Sequence, residues 1–159
     1  MTPEQFAEHY RQHLPAISKF LARRVNAPDV EDLCSEVFVR AFEMKHRAPE
    51  GYELAWLYSI AGHLVANHRR KLSAGVRLFS ALSVARFAPS AESLALADFA
   101  LAQAWGQLRE ADQNLLALVA LDGATVTEAA KVLGITPNAV SVRLNRARAK
   151  LANFLEITE

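Results

Sequence analysis

The chain has 159 residues, 52% of them hydrophobic and 22% charged, with a formal net charge of +1. That is enough apolar material for one ordinary domain or two small ones, and it excludes a disordered chain. A single cysteine, Cys34, excludes an internal disulfide. No cysteine and histidine spacing resembles a zinc site, and no apolar run approaches the roughly 18 residues that span a bilayer. The expected setting is therefore reducing and cytoplasmic, for a soluble chain without a leader or anchor. Alanine and leucine dominate and β-branched alternation is nearly absent, so the expected fold is all-α. The small net charge hides segregation: acids gather at Asp29 to Glu43 and Glu92 to Asp112, cations at Arg69 to Arg77 and Arg143 to Lys150.

Thr2 and Pro3 open a first helix, with Gln5 placed to complete a capping box. Phe6, Tyr10, Leu14, Ile17 and Leu21 continue an apolar stripe to about Val25, bent at Pro15. Asn26 to Pro28 is a break. Asp29 starts a second helix whose Val30, Leu33, Cys34, Val37, Phe38, Ala41 and Phe42 share one face, while Glu31, Asp32, Ser35, Glu36, Val39, Arg40 and Glu43 occupy the other. The charged face is either simply solvated or a docking surface. Cys34 falls in the apolar stripe and reads as a packed thiol. Lys45 to Gly51 is a loop.

A third helix runs from about Tyr52 to Leu72. One face carries Leu57, Ile60, Ala61, Leu64 and His68; another carries Trp56, Ser59, His63, Asn67 and Arg70, and the helix ends in Arg69, Arg70 and Lys71. An aromatic ring among amide, imidazole and cationic groups suits unpaired bases and their phosphates; the alternative makes Trp56 a core anchor beside a basic helix end. His68, on the apolar side, reads as a packed histidine. From Ser73 to Ser93 the helical rhythm weakens, and the segment reads as a flexible linker that could reach about 70 Å when extended. It keeps Leu78, Phe79, Leu82 and Phe87, so some of it is expected to dock.

Beyond the linker, helices are expected over Leu94 to Leu108 and Ala111 to Leu121, the latter ended by Asp122 and Gly123. Thr127 can cap a short helix through Leu133, and Gly134 supplies the left-handed stop. Thr136 and Pro137 restart the chain as N-cap and first helical residue. Two helices joined by a short glycine-containing turn form a helix-turn-helix. On the last helix Val140, Leu144, Ala147 and Leu151 make an apolar stripe, and Asn138, Val142, Asn145, Arg146 and Ala149 point away from it. Arg143 and Lys150 lie on one flank and Arg148 on the other, with no acid between Glu128 and Glu156. Small and amide side chains that can reach base edges, flanked by cations for phosphates, are the layout of a recognition helix.

In this order the segments resemble those of a bacterial extracytoplasmic-function sigma factor, the small two-domain promoter-specificity subunit of RNA polymerase. VEDLCSEVFVRAFE is similar to the family's core-polymerase-binding helix, with Asp32, Leu33, Glu36, Val37 and Phe38 at matching places and Ser35 where glutamine is usual. AWLYSIAGHLVANHRRK is similar to the helix that melts and reads the minus-ten element, with Gly62 and His63 in place of a frequent Arg-Asn pair. LGITPNAVSVRLNRARAKL is similar to the minus-thirty-five recognition helix, with Arg143, Arg146 and Arg148 fitting its arginine tail in variant form. Arg109 stands where a proline commonly ends the preceding helix. The likeness covers nearly all the chain outside the linker.

The resemblance implies an all-α protein of two small helical domains: residues 1–72 for core binding and minus-ten melting, linker 73–93, and a four-helix unit over 94–159 ending in the helix-turn-helix. It implies polymerase contacts from Asp32, Leu33, Ser35, Glu36 and Phe38. It implies minus-ten contacts from Trp56, Ser59, His63, Asn67, Arg69, Arg70 and Lys71. It implies minus-thirty-five contacts from Thr136, Asn138, Ser141, Val142, Arg143, Asn145, Arg146, Arg148 and Lys150. The implied partners are core RNA polymerase, promoter DNA as duplex and melted strand, and an anti-sigma factor. No enzymatic activity, cofactor, metal or small-molecule substrate is expected. Two rival readings are a dimeric helix-turn-helix regulator that binds an operator without polymerase, and an interaction protein that binds no DNA.

Overall fold

A computed structural model describes residues 1–73 and 86–158. Among the described residues there are helices and turns and no strand, the all-α class expected from composition. The chain divides into two compact units, Met1–Phe87 and Ala88–Glu159.

In the first unit, α1 (Pro3–Tyr10) begins with the expected capping box, Thr2 accepting from the Gln5 N–H while the Gln5 side chain accepts from the Thr2 N–H. The helix expected to run on to Val25 is broken earlier: a 3₁₀ turn, Arg11–His13, precedes α2 (Leu14–Ala22). Pro15 lies in the first turn of α2, where a missing N–H costs nothing, so it starts a helix and does not bend one. The next helix, α3 (Ala27–Glu43), starts two residues before Asp29, with Asn26 at the cap and Pro28 in the first turn. A 3₁₀ turn, Lys45–Arg47, leads to α4 (Glu53–Leu72), with Tyr52 as its N-cap. Ile17, Phe20, Leu21, Val37, Leu57, Tyr58 and Val65 are sealed from solvent where α2, α3 and α4 meet. Phe20 stacks on Tyr58 with ring centroids 5.2 Å apart.

Arg24, at the end of α2, is only 3% exposed. Its burial is sustained by bonds from Nε to the Phe87 carbonyl at 2.7 Å and from Nη1 to the Phe20 carbonyl at 3.0 Å, with the guanidinium 3.7 Å from the Phe20 ring centroid. Phe87 is buried in this unit. The central part of the expected linker, 74–85, lies outside the described residues.

The second unit opens with a turn in which Ser93 accepts the Ser90 N–H at 2.8 Å and Ser90 accepts the Ser93 N–H at 3.0 Å. The helix expected from Leu94 begins only at Phe99: Ala95 takes a left-handed φ of 54°, and Asp98 caps α5 (Phe99–Gln107) by accepting from the Leu101 N–H. Trp105 on α5 is buried, its indole N–H donating to the Pro89 carbonyl at 2.9 Å. The following helix, α6 (Glu110–Leu116), widens into a π-helical turn, Ala117–Leu121.

Thr125, not Thr127, caps α7 (Val126–Leu133): it accepts from the Glu128 N–H at 3.0 Å while Glu128 accepts from the Thr125 N–H at 2.9 Å. The pair satisfies two donors at once, which Thr127 could not do with a glutamate one residue away. Gly134 stops the helix at φ 69°, and the Ile135 N–H returns to the Ala130 carbonyl. Thr136 then accepts from the Ala139 N–H at 3.1 Å and starts α8 (Pro137–Thr158). Two turns of α7 could not stand alone; Ala129 and Ala130 are buried together with Val140, Leu144 and Ala147 of α8 and Leu115, Leu116 and Leu118 below them.

Candidate nucleic-acid interface

The two faces of α8 separate as its spacing predicts. Val140, Leu144 and Ala147 are buried, and Asn138, Ser141, Val142, Arg143, Asn145, Arg146 and Arg148 are all exposed, as is Thr136 before them. Val142 keeps 40% of its surface open among these polar groups, so an apolar contact is available beside two amides. Among the described residues no ion pair engages Arg143, Arg146 or Arg148. Lys150 differs. Its Nζ lies 3.2 Å from the Asp112 carboxylate, which is 11% exposed at the side chain, so this lysine is tied to α6.

On α4 the structure gathers Trp56, Ser59, His63, Asn67 and Arg70 along one side, His63 exposed and the others half-buried. Trp56 touches the core through Tyr10, ring centroids 6.4 Å apart, yet keeps part of its surface open. Ser59 donates to the Ala55 carbonyl at 3.2 Å, and Arg70 donates to the Asn67 side chain, which orients the amide. Lys71 is exposed. Arg69 does not join this surface. It lies about two turns beyond Gly62 on the same side of the helix, and its guanidinium donates to the Arg24 and Arg86 carbonyls at 3.2 and 3.4 Å. His68, expected to be packed, is half-buried and lies 3.2 Å from the Asp29 carboxylate, joining α4 to the start of α3.

The outer face of α3 carries Asp32, Ser35 and Glu36, all exposed. Leu33 is 8% exposed and packs inward. Phe38 is half-buried and lines a groove of about 580 Å³ with Tyr10, Leu14, Val30 and Cys34. Burial raises the Cys34 thiol above its ordinary pKa, so it stays protonated. Two neighbours on α3 were absent from the candidate set. Val39 is 58% exposed beside Ser35 and Glu36, and Arg40 reaches Glu36 at 3.3 Å. Helical spacing from Asp32 could have found Val39, whereas the Arg40 bond needs the rotamer. A second groove, about 530 Å³, runs between α3 and α4 and is lined by Glu36, Arg40, Asn67, His68, Arg70 and Lys71. Among the described residues no cluster of side chains could hold a metal ion.

An exposed cationic helix-turn-helix in one unit, and an aromatic, amide and cationic helix face in the other, give a two-domain all-α protein with one surface suited to nucleic acid on each domain. The chain matches the Sigma-70 region 2 family over residues 9–74 and the Sigma-70, region 4 family over residues 98–151. It is 30% identical over 161 residues to the ECF RNA polymerase sigma factor BldN of Streptomyces coelicolor, covering 96% of this chain and 61% of BldN. It is also 30% identical over 166 residues to the RNA polymerase sigma factor CnrH of Cupriavidus metallidurans, covering 95% and 86%. Among solved structures, CnrH in complex with the cytosolic domain of CnrY superposes with a TM-score of 0.67 at 24% identity, over 99% of this chain and 92% of that one. The sigma factor RpoE in complex with the anti-sigma factor NepR, from Bartonella quintana, superposes at 0.66 and 20% identity, over 98% and 99%. The chain belongs to the extracytoplasmic-function sigma factors of bacterial RNA polymerase.

Proposed function

We propose that this chain binds core RNA polymerase and directs promoter-specific initiation in the cytoplasm, with residues 1–72 melting the minus-ten element, 94–159 holding the minus-thirty-five duplex, and 73–93 between them. The observation that carries this reading is the presence, in one chain and in order, of both Sigma-70 regions, each with an exposed DNA-compatible helix. Asp32, Ser35, Glu36 and Phe38 on α3 present an acidic and partly apolar surface suited to a basic part of polymerase. Trp56, His63, Asn67, Arg70 and Lys71 engage unpaired bases and their phosphates. That binding energy is realised only with the open strand, so it shifts the duplex toward melting. Asn138, Ser141, Val142 and Asn145 face bases in the major groove while Arg143, Arg146 and Arg148 fix register on phosphates.

An anti-sigma partner is part of this proposal, supported by the complexes of CnrH with the cytosolic domain of CnrY and of RpoE with NepR. Among the described residues no helix is long and apolar enough to cross a membrane. No step of initiation asks this chain for covalent chemistry; its work is binding. The deciding experiment is transcription in vitro from fragmented genomic DNA of the source bacterium, with purified core polymerase with and without the protein. New start sites that need both components are expected. Their absence, or duplex binding to a palindrome with no effect on polymerase, would overturn the assignment.

A further inference from the structure

Phe87 lies outside both matched family regions, yet it is bound into the first unit from three directions. Its ring rests on the bare backbone of Gly62, where an added Cβ would meet ring carbons at 2.9 Å. Its carbonyl takes the 2.7 Å bond from buried Arg24. The carbonyl of the preceding residue, Arg86, takes a bond from Arg69, whose own carbonyl accepts the Ser73 N–H at 3.0 Å. The Arg69 side chain therefore joins the end of α4 to residue 86. We propose that Arg86–Phe87 is a strap that withholds Arg69 from nucleic acid, so that the cationic end of α4 has two states. With the strap seated, Arg69 is held by the Arg86 carbonyl of the strap and by the carbonyl of Arg24, whose own side chain is bound to Phe87, and only Arg70 and Lys71 meet phosphates; with the strap released, both of these anchors loosen and Arg69 adds one phosphate contact.

Phe87 is the last residue of the first unit and Ala88 the first of the second, so the strap is the last stretch of the first unit along the chain. The inference rests on the reading of α4 as the strand-holding helix and deepens it.

Full-length protein titrated with fluorescein-labelled single-stranded DNA of random sequence, over a series of salt concentrations, tests both. In the wild-type background Arg69→Ala leaves the log–log salt slope unchanged. Phe87→Ala steepens that slope by about 0.7, the increment for one phosphate on a single strand, and Arg69→Ala in the Phe87→Ala background removes the gain. Gly62→Ala, which expels the ring by adding a methyl in a residue well suited to helices, reproduces the Phe87→Ala slope; circular dichroism checks that each variant is folded. An Arg69→Ala effect equal in both backgrounds, or an unchanged slope in both Phe87→Ala and Gly62→Ala, overturns the strap. Lys71→Ala reports separately on the underlying reading: if it flattens the slope in neither background, α4 does not hold the strand, whatever the strap does.

Discussion

Phe87 lies directly over Gly62, its ring carbons 2.9 Å from where a side chain on that residue would begin. A glycine inside a 20-residue helix costs about 1 kcal/mol relative to alanine, and here the cost is offset by burial of an aromatic ring, worth about 1.5–3 kcal/mol. Gly62→Ala recovers the helix term but expels the ring and forfeits its burial, about 1.5–3 kcal/mol. The expected outcome is a net loss of about 1 kcal/mol in urea denaturation. In the Phe87→Ala background, with the ring gone, the same change becomes stabilising. A stabilising Gly62→Ala in the wild-type background would show that the ring does not rest there.

The cap of α7 is open to a simple comparison. Thr125→Ala removes a reciprocal pair of bonds with Glu128 and is expected to cost about 1 kcal/mol. Thr127→Ala, two residues later and exposed, should change stability by less than about 0.5 kcal/mol. Thermal melts of the two variants side by side decide it, and equal losses would count against the capping box.

Exposed cations of α8 should divide by their present partners. Arg146→Ala and Arg148→Ala are each expected to weaken binding to duplex DNA and to flatten its log–log salt slope by about 0.9. Lys150→Ala is expected to act more on stability, by about 1 kcal/mol, because it leaves the nearly buried Asp112 carboxylate with Arg109 at 3.9 Å as the remaining cation. Salt titrations and melts on the same preparations separate the two effects. A full phosphate increment lost with Lys150 and no change in melting would reverse its assignment.

Docking on polymerase is tested by removing charge from an exposed face. Asp32→Ala combined with Glu36→Ala leaves the core untouched, since both side chains are exposed on α3. Co-purification with core polymerase should fall several-fold while the melting temperature holds within a few degrees. Retention of normal co-purification would remove the docking surface.

Cys34 offers a pH test. Its thiol pKa is raised above the ordinary 9.0 by burial, so the folded chain keeps a proton that the unfolded chain releases. Stability contributed by the neutral thiol is present below that value and falls as pH climbs through it. Alkylation by iodoacetamide should be much slower in the native protein than in urea, and the urea midpoint should decline above the ordinary thiol range. Equal alkylation rates would place the thiol at the surface.

Much of this fold was legible because its signals are local. Thr2 with Gln5, Gly134, and Thr136 with Pro137 act within a few residues of themselves, and the stripe Val140, Leu144 and Ala147 needs only the helical period. Local competition explains most misplacements: Thr125 displaced Thr127 because its glutamate stands three residues on, and Pro15 opened a helix because a 3₁₀ turn had already ended the one before.

What the amino-acid order determined by itself was the all-helical class, the helix-turn-helix and the face its arginines occupy, since charge pattern and periodicity need no partner. Tertiary structure alone decided which cations are open. Arg69 and Lys150 read like their neighbours in sequence, yet one bonds two carbonyls and the other a carboxylate 38 residues away. Those partners are brought near only by chain folding, and no periodicity within a single helix carries that information.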